Sequence, residues 1–186
     1  MFYAMKNTLL CVAVCLSLGF AGCDKDETEV VKDEVEVVKS ARIHWSVNPS
    51  ADYLSLADVR VSYTDAQGKR QEEIVAEAGE KTIESDTVPF YAEITVYATK
   101  KKNLSFDKEE YELREPKVFY VIDYLENGSV KNSSSFQEEK TLNVSKEHIG
   151  NWFSWEEESS TLKRQVTAKG EIVNMLGKPA PLSAQQ

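Results

Sequence analysis

The sequence predicts an all-β fold, a single antiparallel β-sandwich of about seven to nine strands. Three observations carry this expectation. From residue 40 onward apolar side chains recur at every second position, the period of a strand with one buried face. Glycine and asparagine fall where hairpin turns need a positive φ, at the turn spacing of a sandwich. Helical periodicity is weak and confined to a possible turn at Lys146–Trp152.

The strands follow in chain order. Ile43, Trp45 and Val47 alternate with Arg42, His44 and Ser46, which places Trp45 in the core. Val59, Val61 and Tyr63 alternate with Arg60, Ser62 and Thr64. Next, Asp65-Ala66-Gln67-Gly68 puts glycine where a type I turn with a bulge requires it. Phe90, Ala92, Ile94, Val96 and Ala98 then alternate with Tyr91, Glu93, Thr95, Tyr97 and Thr99, a long strand with one buried and one wetter face. Residues 118–125 are apolar on both faces apart from Asp123, the pattern of a strand covered on both sides. Asn127-Gly128 fits a type I′ turn. Residues 162–167 and 171–174 read as closing strands, with Gly170 as a bend or bulge between them. A lipocalin-like β-barrel is the alternative architecture. Gly150-Asn151-Trp152 matches the G-x-W triplet of that family, but the triplet belongs near a lipocalin's first strand and here sits near the end of the chain.

The N-terminal segment reads as an address. All three cysteines, Cys11, Cys15 and Cys23, lie in the first 23 residues, which does not fit a disulfide framework spread through a folded domain. Lys6 precedes an uncharged stretch over residues 7–22. Its strongly apolar part is shorter than the roughly 20 residues of a membrane span, so it fits a signal-peptide core. Met5-Lys6-Asn7 makes a more usual signal start than Met1. The four residues Phe20-Ala21-Gly22-Cys23 resemble the lipobox of bacterial lipoproteins, in the form with Phe for the commoner Leu that Bacteroidetes-type lipoproteins tolerate. That resemblance implies cleavage before Cys23, lipid attachment at Cys23 and membrane anchoring by its acyl chains. Two or more such chains hold a protein durably. Residues 24–39 carry seven acids and three lysines with no aromatic, Gly or Pro, a self-repelling tether. Asp24, Asp26 and Glu27 resemble the export signal that sends Bacteroidetes-type lipoproteins to the outer face of the outer membrane; in enterobacterial lipoproteins an Asp there implies inner-membrane retention. The expected organisation is therefore a signal peptide at 1–22, lipidated cysteine and tether at 23–39, sandwich at 40–176 and a flexible tail at 177–186.

Composition bounds the function class. The chain has 186 residues and a formal net charge of −9, which argues against a nucleic-acid partner because phosphate binding needs a concentrated basic surface. Without residues 1–22 there is no cysteine beyond Cys23, so cysteine nucleophiles, redox pairs and thiolate metal sites are excluded. His44 and His148 lie 104 residues apart without ligand spacing. Neighbouring carboxylates such as Glu72-Glu73, Glu109-Glu110 and Glu156-Glu157-Glu158 are what a chain of 31 acids produces without catalytic demand. The run Lys100-Lys101-Lys102 at a strand end fits either a guard against edge pairing or an anionic partner. The best candidates for ligand contact are aromatic: Trp152 and Trp155, clustered with Phe153, and Tyr91 and Tyr97 on the wetter face of the long strand. Aromatic faces stack against sugar rings, and they equally plug the end of a sandwich. No metal or cofactor is expected, and no enzymatic activity.

The strand pattern over residues 40–176 resembles the immunoglobulin-like and transthyretin-like sandwich modules of surface lipoproteins, without a Cys-Trp-Cys framework. It implies a lipoprotein, at the outer membrane and cell surface, that presents a non-catalytic sandwich to an extracellular glycan or protein. The alternatives are a pilin or fimbrial subunit that assembles by strand addition, and a hydrolase if His44 or His148 meets a carboxylate and a hydroxyl in one cleft.

Overall fold

A computed structural model describes residues 36–177. The signal segment, Cys23, most of the acidic tether and nearly all of the expected tail lie outside the described residues. Eleven strands and two short helices follow one another: β1 (Lys39–Val47), α1 (Ala51–Leu56), β2 (Ala57–Thr64), β3 (Arg70–Val75), β4 (Gly79–Ser85), β5 (Phe90–Lys100), β6 (Glu110–Arg114), β7 (Val118–Glu126), β8 (Ser129–Phe136), β9 (Thr141–Ser145), α2 (Lys146–Trp152), β10 (Glu157–Val166) and β11 (Ile172–Asn174). One sheet has the order β4-β1-β7-β8 and the other β11-β10-β5-β2-β3, with a small β6-β9 pair beside them. Every pairing is antiparallel. Neither sheet closes into a barrel, so the fold is a sandwich and not lipocalin-like.

The alternation read from the sequence fills the space between the sheets. Ala41, Ile43, Trp45 and Val47 of β1 are buried, as are Val59, Val61 and Tyr63 of β2 and Phe90, Ala92, Ile94, Val96 and Ala98 of β5. Trp45 meets Tyr63 across the layers with ring centroids 5.2 Å apart. Strand β7 departs from its reading. Its inward side chains Tyr120, Ile122 and Tyr124 are buried, but Phe119, Val121 and Leu125 are only half-covered, because no second layer of the described residues lies over that face. Asp123 on that face is buried by its own partners, Arg42 at 2.7 Å and the Ser133 hydroxyl at 2.8 Å.

The two sandwich sheets hold nine strands, within the seven to nine expected, and the β6-β9 pair adds two more; polar edges hide some of these strands from the apolar pattern. Strand β8, Ser-Val-Lys-Asn-Ser-Ser-Ser-Phe, is exposed along most of its length and shows no apolar alternation. Strand β10 starts at Glu157, five residues before the expected 162, since its first turns of the ladder lie at an open rim where acids stay solvated.

The register of β1 defines two poles. The chain enters at Lys39, opposite Glu126, and leaves at Val47, opposite Val118. At the Lys39 pole three tight turns carry glycines at positive φ: Gly68 at 79°, Gly128 at 76° after Asn127 at 48°, and Gly170 at 80°. At the Val47 pole, α1, α2 and the β6-β9 pair form a cap over the end of the sandwich. Nine strand residues separate the poles, about 30 Å.

Candidate functional site

The cap is assembled from four distant stretches of sequence. Helix α1 is only six residues long, too short to hold itself together. Its N-cap Ser50 hydroxyl accepts the Tyr53 N–H at 3.1 Å and the Arg114 N–H at 3.0 Å, so one side chain ends the helix and ties it to β6. Asp52 accepts the Glu112 N–H at 2.9 Å and pairs with Lys108 at 2.5 Å. Burial pushes the Asp52 carboxyl upward, but the Lys108 ammonium and the Glu112 N–H outweigh it and hold the group below its ordinary range.

Tyr53 projects from α1 into the centre of an aromatic cluster. Its ring lies 5.4 Å from Phe153, 6.2 Å from Trp152 and 6.5 Å from Trp155, and Phe153 is 5.1 Å from each indole. Tyr53 and Phe153 are buried, whereas Trp152 and Trp155 are half-buried. The two indoles therefore plug the sandwich end with part of their surface and present the rest to solvent. The Tyr53 hydroxyl donates to Glu158 at 2.8 Å. Burial, reinforced by that carboxylate, drives its phenol far above the usual tyrosine range.

The lysine run holds this cap in place. Neither α1 nor α2 has a basic residue in its last turn. Lys101 of the loop after β5 donates to the Leu54 carbonyl at 2.7 Å, and Lys100 donates to the Phe153 carbonyl at 3.2 Å. Cations from a neighbouring strand thus satisfy the carbonyl ends of both helices. Lys101 also lies 3.7 Å from Asp58. Beside these lysines runs a groove of about 680 Å³, with Lys100, Lys101 and Lys102 on one side, Glu156 also at its lining, and apolar surface from Leu104, Phe106 and Phe153.

The two tyrosines of β5 lie elsewhere. Tyr91, six residues from Tyr97 and so about 20 Å along the strand, sits toward the Lys39 pole. It is 9% exposed, donates to Glu93 at 2.8 Å, and lines a smaller cleft of about 340 Å³ with Gly68 and Pro89. Burial and then Glu93 raise its phenol well above the usual range. Tyr97 carries the Arg60 guanidinium 4.8 Å over its ring, and its hydroxyl accepts from Arg70 at 3.1 Å. The four aromatic candidates do not converge: Trp152 and Trp155 share the cap, while Tyr91 and Tyr97 are tied into side-chain pairs along the outer face of the five-stranded sheet.

The other candidates are dispersed as well. His44 contacts the Thr82 hydroxyl at 3.0 Å and His148 the Ser145 hydroxyl at 2.9 Å, both on exposed surface. Among the described residues no carboxylate hydrogen-bonds either ring, so the triad geometry the hydrolase alternative requires is not assembled at either histidine. Glu72 pairs with Arg60 at 3.0 Å and Glu73 with Lys81 at 2.5 Å, on opposite faces of β3. No cluster of His, Cys, Asp or Glu suited to a metal ion occurs among the described residues. Among those residues, too, no helix is long and apolar enough to cross a membrane.

Sequence reasoning missed Tyr53, Phe106 and the clamping role of Lys100 and Lys101. Asn-Pro-Ser at 48–50 is a helix-start signal that locates α1, but nothing local shows that Tyr53 meets Phe153, a hundred residues on. No protein-family model matches the chain, and no curated protein matches it significantly. The cap is interpreted on its own geometry.

Proposed function

We propose that this chain is a cell-envelope lipoprotein of the outer membrane and cell surface, anchored at Cys23, whose non-catalytic sandwich binds an extracellular glycan or protein through its cap. The observation that carries the proposal is the polarity of the domain. The chain enters the sandwich at Lys39, sixteen residues after Cys23 in sequence, while the half-exposed indoles and a groove of about 680 Å³ lie at the opposite pole. A chain that enters at one pole and a half-exposed aromatic surface at the other support presentation of the cap. Cys23→Ala is expected to abolish acylation and release the protein from membranes, and continued tight membrane association would end the anchor claim. Protease shaving of intact cells should remove the domain; full protection would place it facing the periplasm. A glycan array comparing the wild type with Trp155→Ala tests the cap, and equal binding by the two proteins would remove the aromatic surface from the argument.

The fimbrial alternative draws support from β8. This strand is an eight-residue outer edge with a single charge, Lys131, and it is exposed on both faces, which is the form of edge that accepts another strand. Sedimentation over a range of concentrations tests it: oligomers that Ser134→Pro abolishes would favour assembly over ligand presentation.

A further inference from the structure

We propose that the groove at the cap takes an acidic saccharide, a sugar chain bearing carboxylate groups. The inference rests on the glycan-binding reading of the cap and adds the charge of the ligand. Residues 40–186 hold 24 acids against 18 bases, so the domain as a whole repels polyanions. The groove inverts that sign, because its lining holds three consecutive lysines and one carboxylate, Glu156. A concave site whose charge opposes that of the surrounding surface concentrates the counter-charged ligand.

The lysines divide the work. Lys100 and Lys101 each spend one N–H on a helix-end carbonyl, which fixes both ammonium groups in space and leaves each with further donors, although Lys101 shares its charge with Asp58 at 3.7 Å. Lys102 makes no side-chain hydrogen bond among the described residues and is exposed. The rim therefore offers two positioned cations and one exposed cation with no side-chain hydrogen bond among the described residues. The half-buried apolar surface of Leu104 and Phe106, backed by the buried Phe153, is the complement of the C–H face of a pyranose ring, whose carboxylate and hydroxyls project sideways toward the rim. At about 680 Å³ the groove falls in the size range of small-ligand sites. A neutral sugar would use the apolar surface and leave the lysines unanswered.

The test titrates the purified protein with oligogalacturonate and with its methyl ester, which differ in charge but not in ring. The acid is expected to bind about tenfold more tightly than the ester, with an affinity that falls as salt rises. Lys102→Gln should weaken acid binding by roughly two- to fivefold, and Lys102→Glu further, with the near-ultraviolet circular dichroism of the cap aromatics unchanged. Equal affinity for acid and ester, or acid binding indifferent to both substitutions, overturns the inference. If the ester binds and depends on Trp155 without any preference for the acid, the glycan reading stands and the acidic specificity falls. If no saccharide binds, both fall.

Discussion

The two poles of the sandwich are built by different means. At the Lys39 pole the turns close mainly through local bonds: the Asp65 N–H bonds the Lys69 carbonyl, the Thr167 N–H bonds the Glu171 carbonyl, and glycines take the positive φ, while the Asn127-Gly128 turn is also tied to Val38. At the Val47 pole the cap holds together through bonds between residues about fifty to a hundred positions apart, such as Lys101 to Leu54, Ser50 to Arg114 and Tyr53 to Glu158. Tight glycine turns at that end carry no cluster of half-exposed indoles. Long-range closure leaves irregular backbone, half-exposed indoles and a groove, the features from which a recognition surface is made.

The sharpest break in that comparison is Tyr53→Ala. Its side chain is buried and touches all three aromatics of the 152–155 segment, so removal is expected to cost about 3–5 kcal/mol in urea denaturation. Hydrogen exchange should speed up in α1 and α2 first, with the turns of the other pole still protected. Uniform loss of protection at both ends would show that the cap and the sandwich unfold as one.

At the Lys39 pole the corresponding test is Gly170→Ala. A Cβ there would stand 2.4 Å from the Tyr124 ring, on a backbone already at φ 80°. A cost of about 2–3 kcal/mol is expected, from the clash together with the left-handed backbone. Gly128→Ala separates the two causes, since φ is 76° but nothing lies within 4 Å, and about 1 kcal/mol is expected. Equal losses at the two sites would mean that the Tyr124 contact adds nothing.

The same contrast explains what was legible in the sequence. Alternation in β1, β2 and β5 and the glycine turns are local signals, and they located the sheets, the hairpins and the buried position of Trp45. Residues 129–136 carry no such pattern, because an edge strand needs no apolar face, and in β9 Leu142 and Val144 do alternate with polar neighbours, but over only five residues. Trp152 and Trp155 were singled out by their clustering with Phe153, but their partner Tyr53 and their lysine clamps belong to tertiary proximity alone. Tyr97 reads as a candidate contact because its strand face is polar, yet in the sheet that polarity is Arg60 and Arg70 reaching over from β2 and β3.

A smaller effect is expected of Lys101→Met. It keeps most of the aliphatic stem but withdraws the cation from the Leu54 carbonyl, for a loss of about 1 kcal/mol and faster exchange in α1. Lys102→Met, in the same run without a carbonyl to hold, should leave stability unchanged. The pair thus tests whether the run acts as a clamp or only as charge.

The smallest effect depends on pH and separates the cap from the sheet in another way. Asp52 is held below its ordinary range by Lys108 and the Glu112 N–H, against the upward push of burial. A group depressed in the folded state contributes stability that is complete above its unfolded pKa and disappears as pH falls through the folded value. Asp52→Asn should therefore destabilise the protein at pH 7, and the gap to the wild type should close on acidification below about pH 4. Glu73 in the sheet is lowered by Lys81 first and Tyr63 second, so its acid dependence has the same sign. Its pair with Lys81 is about half exposed on both sides, whereas in the cap Lys108 is 55% exposed and Asp52 14%. Both cations are open to salt, so the difference lies in Asp52, which also keeps the bond from the Glu112 N–H that salt does not screen. The acid-dependent loss for Asp52 should consequently survive about 0.5 M salt, while that for Glu73→Gln should fade. Equal salt sensitivity at the two sites would mean that the cap's ion pair is no better shielded from water than a pair on the open sheet.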